Sequence, residues 1–319
     1  MTNLLLFCVA QAADPAFTPS VKPSATVFFH YGYDLSDAAG FNEFAFDRGY
    51  FRIDAEGSER FGGRLTLDAD RMKATDATGE PLDTKYRVFV KHAYVEAREL
   101  PLDVKLRAGV VDTPYAPFYD SFWGNRYIAK SMVDENKVLD TADLGVGLWG
   151  KHAGGVVDWN LSLLNGEGYA KLEADAGKAV QARVTVDPLA AGEVASLPIT
   201  GFASYSGGES PVVTYVGAAG FQMPYVAAWG EYVGREEGGA TGAGWSATLN
   251  PRLPDVLGLV ARYDRWDPDA DAKGDDVTKL IGGVEKDFSD KIALALTYER
   301  TVTGGAGAHG VYARMGAGF

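Results

Sequence analysis

Six basic residues occupy the same phase of a two-residue alternation in separate segments of the chain. They are Arg52, Arg60, Arg64, Lys105, Arg107 and Arg183. Guanidinium and ammonium groups on one face attract anions, and we call this predicted face the basic wall. A second interpretation is that the basic groups form ion pairs that stiffen the face. The acidic residues of the same phase that could pair with them are Asp68, Asp70, Asp103 and Glu96. The two interpretations are compatible, and both stay open.

Residues with catalytic potential are scattered. The four histidines, His30, His92, His152 and His309, belong to no motif that combines a nucleophile with a base. The acidic segment DPDADAKGDD, residues 267–276, lacks the spacing and the closing glutamate of an EF-hand. The sequence therefore predicts no enzyme, no metal site and no cofactor.

Composition limits the partners. The 319 residues include 43 acidic and 30 basic side chains, which gives a net charge of −13 and argues against nucleic acid as a partner. The single cysteine, Cys8, excludes an intrachain disulfide.

The first residues resemble an export signal. The apolar run Leu4 to Val9 precedes small residues typical of a signal-peptidase site, but a basic start is missing. We predict a truncated signal peptide over residues 1–13 and one domain over residues 14–319. A lipoprotein signal at Cys8 is less favoured, because bulky Phe7 precedes it.

Apolar and polar residues alternate in many segments, for example RFGGRLTLDADR (60–71), VVDWNLSLL (156–164) and DKIALALTYER (290–300). Period-two alternation indicates strands with one apolar and one polar face, and no apolar run approaches the ~20 residues of a membrane helix. The fold predicted is all-β, a transmembrane antiparallel β-barrel. A soluble β-sandwich is the alternative.

Turn residues divide the chain into about sixteen strands. The ranges are 24–34, 44–55, 60–71, 86–98, 103–111, 142–151, 156–165, 178–187, 197–206, 211–221, 224–233, 241–250, 256–266, 277–287, 290–301 and 309–319. The alternation is weakest in the fourth, ninth and tenth. The connections alternate between two sets, one short and the other mostly longer. This is the pattern expected for periplasmic turns and outer loops.

The last strand predicts an assembly signal. Its alternate residues Val311, Ala313, Met315, Ala317 and Phe319 are expected to face lipid. Phe319 is expected at the membrane interface, where aromatic residues concentrate. The pattern resembles the C-terminal signal that the barrel-assembly machinery recognises in outer-membrane proteins.

Several segments in order resemble one family. They are FDRGYFRIDAEGSERFGGRLTLDADR (46–71), KHAYVEARELPLDVKLRAGVVDTPYAPFYDSFWGNRYIAKSM (91–132), TADLGVGLWG (141–150) and LSLLNGEGY (161–169). Together they resemble the phosphate-selective porin O/P family of outer-membrane porins, most densely over residues 44–187. The resemblance implies a porin of about sixteen strands that is usually trimeric, and it does not imply phosphate as the solute.

In porins of this build, the long third loop folds into the lumen and narrows it. Residues 112–141 correspond to that loop, and the constriction residues expected on it are Tyr115, Asp120, Arg126, Lys130, Asp134 and Glu135. Its many aromatic residues fit packing against an inner wall. A surface lid or a trimer contact is the alternative.

The expected function is a water-filled channel of the bacterial outer membrane for passive diffusion of small hydrophilic solutes and ions. Weak anion preference is expected because charges that line a narrow passage are screened less than loop charges. The expected partners are outer-membrane lipid, the barrel-assembly machinery, small anions or polar solutes, and two further copies in a homotrimer. A non-conducting structural or adhesive barrel and a soluble secreted β-protein are the alternatives.

Overall fold

The computed structural model describes residues 17–71, 85–173, 175–192, 194–253 and 256–319. The predicted signal peptide, residues 1–13 with Cys8, lies outside these residues. Within the described part of the chain, no helix is both long enough and apolar enough to cross a membrane.

Sixteen antiparallel strands form one closed barrel in which each strand pairs with its sequence neighbours. The prediction of an all-β antiparallel barrel is confirmed. The strands are β1 (Ser20–Asp34), β2 (Asn42–Glu56), β3 (Phe61–Arg71), β4 (Tyr86–Leu100), β5 (Val104–Asp112), β6 (Ala142–His152), β7 (Val157–Leu164), β8 (Ala179–Val186), β9 (Ile199–Ser206), β10 (Val212–Met223), β11 (Val226–Glu237), β12 (Ala240–Leu253), β13 (Leu257–Asp267), β14 (Val277–Ser289), β15 (Ile292–Thr303) and β16 (Ala306–Gly318).

The barrel closes between its first and last strands. The register runs from Thr26 opposite Gly318 to Asp34 opposite Gly310. Beyond it, the Phe319 N–H donates to the Ala25 carbonyl at 2.8 Å, and the Ala25 N–H donates to the Phe319 carbonyl at 3.2 Å. Closure pairs the backbone of both terminal strands, so the sheet has no free edge.

The two faces of the barrel differ as the alternation predicts. Outward side chains such as Leu65, Leu161 and Leu296 are exposed and apolar. Inward side chains such as Thr66 and Asn160 are polar and buried. An apolar outside around a polar inside is typical of a membrane-spanning barrel rather than of a soluble one.

Connection lengths differ in part from the prediction. At the end of the barrel opposite the chain termini, 113–141 and 165–178 are long, but 238–239 and 304–305 are two-residue hairpins. Both hairpins are Gly-Gly pairs with positive φ, 59° and 92° in the first and 56° and 84° in the second. Such angles suit the tight turns that match the twist of paired strands. At the other end, the β8–β9 connection, 187–198, is longer than its neighbours.

The closing pair generates a prediction about assembly. The Phe319 side chain is 69% exposed at the barrel rim. We expect Phe319→Ala to slow insertion and lower the yield of heat-modifiable barrel, because it removes an interfacial aromatic next to the closing seam. Band shift on unheated gels measures the yield. Phe61→Ala removes an exposed aromatic at the start of β3 and is the control, and equal yields for the two variants would contradict the prediction.

Candidate functional site

The long third connection lies inside the barrel. It contains two short helices, α1 (Ala116–Trp123) and α2 (Met132–Glu135). Tyr115, Tyr119, Met132 and Val133 are fully buried. They cluster with inward residues of the facing strands, which are Phe202, Val216, Trp229, Val233, Val260, Trp266 and Ile281. The third connection, called loop 3 below, therefore fills the lumen beside β9–β14.

Local sequence signals start and stop the loop helices. Pro117 lies in the first turn of α1, where its missing N–H removes no helical hydrogen bond. Gly124 ends α1 with a φ of 69°, and its N–H donates to the Asp120 carbonyl. The Ser131 hydroxyl caps α2 by accepting from the Asp134 N–H.

Three arginines of the surrounding strands hold the loop backbone. Arg183 donates to the Pro114 carbonyl at 2.9 Å, Arg262 to the Lys130 carbonyl at 2.6 Å and Arg235 to the Val138 carbonyl at 2.7 Å. Each bond joins a charged donor to a carbonyl that no helix pairs, which makes it stronger than a neutral bond. Arg183, predicted as part of the basic wall, is therefore a loop anchor, and it also pairs with Asp158.

Further contacts fix the loop at close range. The Tyr115 hydroxyl donates to the buried Glu231 carboxylate. On the other side of the lumen, a Cβ placed on Gly316 would lie 3.0 Å from the Tyr127 ring. Glycine at position 316 thus lets the loop approach β16 closely, which a larger side chain would prevent.

A second outer connection also folds inward. The Tyr169 N–H donates to the Ala142 carbonyl at 3.0 Å, and its hydroxyl lies 3.4 Å from an Asp68 carboxylate oxygen. Its ring packs against Phe89, and the Lys91 ammonium lies 5.6 Å from the ring centroid. This contact fills space beside β3 and β4 and leaves the opening nearer to β1, β2 and β16.

A charged cavity of about 550 Å³ lies between loop 3 and strands β1–β3, β14 and β16. We call it the outer cavity. A second cavity of about 510 Å³, the inner cavity, extends to the rim at Phe319 and is lined by Thr26, Gly124 and Asp287. Phe28 lines both cavities. The two cavities therefore meet at the Phe28 side chain.

Six cationic side chains line the outer cavity, against four carboxylates. The cations are Arg48, Arg71, Arg126, Lys130, Lys279 and Arg314, and the carboxylates are Glu43, Asp47, Asp70 and Glu135. Most of these groups are paired. Arg48 contacts Asp70 at 2.8 Å and Asp68 at 3.2 Å, and Arg314 contacts Glu299 at 2.6 Å. Cations therefore outnumber carboxylates on the cavity surface. Some of the carboxylates that pair with these cations, such as Asp68 and Glu299, are not part of the cavity lining.

Carboxylates of loop 3 belong to this network. Arg126 lies 2.7 Å from Asp134 and 3.1 Å from Asp120, and Lys130 lies 3.3 Å from Asp134. Burial opposes ionisation of Asp134, but Arg126 and Lys130 outweigh it and hold the pKa of Asp134 below its ordinary value. At Asp120, burial dominates and raises the pKa, and Arg126 offsets it only in part. The predicted loop residues Asp120, Arg126, Lys130 and Asp134 thus form one cluster, while Glu135 lies 3.9 Å from Lys279.

Paired groups make up part of the predicted basic wall. Arg64 contacts Asp54 at 2.6 Å, and Arg107 contacts Glu96 at 2.7 Å and Asp112 at 3.0 Å. Arg107 also lies between two rings, 4.8 Å from the Tyr94 centroid and 4.7 Å from the Trp149 centroid. The ion-pair interpretation describes Arg64 and Arg107.

Arg60 departs from the prediction. It precedes β3, lies exposed in the turn after β2 and contacts Glu99 at 3.3 Å. β3 begins at Phe61, one residue later than the predicted range 60–71, so Arg60 lies in the turn and outside the lumen wall.

Among the described residues, several inward cations have no carboxylate within 4.0 Å, including Arg52, Lys105, Lys91 and also Lys22, which lies opposite Asp54. Arg52 and Lys105 share the inward phase of Asp54 and Arg107, and Lys91 lies between the Tyr50 and Tyr169 rings. Because no carboxylate pairs with Arg52, Lys105 or Lys91 within 4.0 Å, their charges are less neutralised than those of Arg64 and Arg107.

Two β-bulges bring in residues that strict alternation misses. Phe28 pairs with Arg48 and Phe29 with Phe46, so Asp47 is the extra residue of β2. Thr66 pairs with His92 and Leu67 with Val90, so Lys91 is the extra residue of β4. Each bulge lets two consecutive ionisable residues face the lumen. Arg48, Lys279 and Arg314 keep the regular phase, and alternation alone could have placed them in the wall.

Comparison with known proteins extends the description. No protein-family model and no curated protein matches the sequence. Among solved structures, an anion-selective porin from Comamonas acidovorans is 12% identical, with a TM-score of 0.62 over 95% of this chain and 100% of that chain. OmpF of Salmonella typhi, in complex with daunomycin, is 8% identical, with a TM-score of 0.69 over 94% and 97%. OprB of Pseudomonas putida is 7% identical, with a TM-score of 0.68 over 94% and 94%. The chain therefore has the barrel fold of outer-membrane porins.

The position of loop 3 generates a prediction about pore size. We expect removal of Tyr119–Lys137 to raise single-channel conductance roughly twofold, because the segment occupies the lumen that ions would cross. Removal of Asp269–Lys273, an exposed connection between β13 and β14, is the control. If conductance and solute cutoff of the folded loop deletion equal those of the control, the loop does not limit the passage.

Proposed function

We propose that the protein is a porin of the Gram-negative outer membrane, a water-filled channel through which small hydrophilic solutes and ions diffuse passively. One observation carries the proposal, the pair of cavities that meet at Phe28 inside a barrel with an apolar outside. A non-conducting structural or adhesive barrel would need no polar path past its own inward loop. A soluble secreted protein would not leave Leu65, Leu161 and Leu296 exposed on one continuous face.

We propose weak anion preference. Six cations face the outer cavity against four carboxylates, and Arg52, Lys91 and Lys105 have no acidic partner within 4.0 Å among the described residues. The preference is weak because Asp68, Asp134 and Glu299 neutralise many of the other cations from behind. The Comamonas acidovorans porin, which has the same barrel fold, is described as anion-selective.

The finer assignment to the phosphate-selective O/P family rests on the sequence motifs alone. Phosphate selectivity is not proposed. Arg126 and Lys130, the loop cations that face the outer cavity, share Asp134. A phosphate ion would have to displace that carboxylate to gain their full charge.

Partners and assembly follow from the same proposal. Outer-membrane lipid would surround the apolar face, the barrel-assembly machinery would recognise the strand that ends at Phe319, and three copies would form the homotrimer common among porins. We propose no catalytic role, since passive diffusion requires only the path and its charges.

The path past Phe28 gives the most direct test of conduction. We expect Phe28→Ala to raise single-channel conductance in planar bilayers and Phe28→Trp to lower it, because the ring lines both cavities. Phe29 is its neighbour on the outward face, so Phe29→Ala is the matched control and should leave conductance unchanged. A wild-type barrel that inserts but does not conduct would overturn the porin proposal. Equal effects at positions 28 and 29 would place the path elsewhere.

The unpaired cations give a test of selectivity. We expect the double variant Arg52→Gln, Lys105→Gln to reduce the anion-to-cation permeability ratio roughly twofold, because no nearby carboxylate masks these charges. Reversal potential in a salt gradient measures the ratio. Lys273→Gln removes an exposed charge from an outer connection and should have little effect, since solvent screens it. An unmoved reversal potential in the double variant, or a strongly cation-selective wild type, would exclude these cations as the filter.

A further inference from the structure

The outward face carries an apolar groove of about 480 Å³ that crosses five neighbouring strands and reaches β13 at one end. Two rows of paired residues form it. One row runs Lys286, Leu294, Met315 and Phe29, and the next runs Val284, Leu296, Ala313, Tyr31 and Phe44. Ala313 is the small residue at the centre of the second row, between Leu296 and Tyr31, and its short side chain makes the depression.

The rows run across the strands, from the end of the barrel that holds Phe319 toward the opposite end. Lys286 lies three residues before Ser289, the last residue of β14, at the end of the barrel that holds Phe319. Phe44 lies two residues after Asn42, the first residue of β2, near the opposite end. Four interstrand spacings of ~4.8 Å make the second row ~19 Å long across the strands. Because strands of such barrels tilt by about 40°, the row rises roughly 12 Å along the membrane normal, which is within the ~15 Å depth of one leaflet of a bilayer core.

A single cation lies at the lower end of this apolar surface. Lys286 faces outward in the row that continues with Leu294, and its ammonium lies 5.7 Å from the centroid of the Phe288 ring. It makes no ion pair within 4.0 Å among the described residues. Its sequence neighbours Glu285 and Asp287 have the inward phase, and Glu285 pairs with Arg252 at 3.1 Å. The Lys286 charge is therefore available on the membrane side.

We propose that this groove binds a glycerophospholipid of the inner leaflet, with the lipid phosphate on Lys286 and an acyl chain along Leu294, Leu296, Ala313 and Phe29. A phospholipid of that leaflet has its phosphate at the periplasmic interface and its chains directed toward the middle of the membrane. The groove has the same polarity and direction, a cation below and an apolar channel above. The inference rests on the proposed outer-membrane location.

Native mass spectrometry of the purified barrel with palmitoyl-oleoyl phosphatidylglycerol tests the site. We expect one retained lipid, affinity about fivefold weaker in Lys286→Gln, and no retained lipid in Ala313→Leu, which fills the depression. Ala247→Leu, an outward substitution on β12, and Lys291→Gln, a cation in the β14–β15 turn, are the matched controls and should bind as wild type. Inorganic phosphate should not replace the lipid, because it lacks the acyl chain.

The other outcomes are also decisive. Equal lipid retention by Ala313→Leu and Ala247→Leu would overturn the site. Loss of an oligomer in Ala313→Leu, with no lipid on the wild type, would assign the groove to contact between copies of the chain. Single-channel recording separates this inference from the proposed function, because a barrel that conducts and binds no lipid refutes only the lipid site. A barrel that does not insert refutes the membrane location on which both depend.

Discussion

Pairing of every strand edge is the constraint on which this structure depends. An unpaired backbone N–H or C=O in hydrocarbon costs several kcal/mol, so a sheet in a membrane must close on itself. Closure here is the seam between β1 and β16, continued by the mutual hydrogen bonds of Ala25 and Phe319. Once the sheet is closed, successive side chains of a strand face the lumen and the membrane in turn. The polar lumen and the apolar outside follow from this geometry.

Closure also explains why loop 3 is held by an apolar patch and by three arginine hydrogen bonds, because it makes most of the inner surface polar. The inner surface of a barrel this wide is polar, so an inserted segment gains little from burial unless the wall beside it is apolar. Phe202, Val216 and Val260 supply that apolar patch, and Arg183, Arg235 and Arg262 bind the loop carbonyls around it. The lumen is thus divided into an apolar half that holds the loop and a charged half that stays open.

That division decides what the sequence could predict. Alternation identified the barrel and the strand number because most strands have one apolar and one polar face. It weakened in β9 and β10, where Phe202 and Val216 make the inward face apolar as well, because that face covers the loop. It weakened in β4 because the bulge at Lys91 shifts the phase by one residue. The weak signals therefore coincide with the parts of the barrel that shape the passage.

The candidate site was harder to predict than the fold, because phase gives the direction of a side chain but not its partner. Arg64, Arg107 and Arg183 all have the inward phase, yet two are neutralised by carboxylates on adjacent strands and one holds the loop. Arg52 and Lys105 have the same phase and no such partner. Pairing depends on register between strands and on the path of loop 3, which are properties of the closed barrel. Under the proposed porin function, selectivity would depend on the few charges that the network leaves without a partner, and the number of basic residues facing inward would be a poor guide to it.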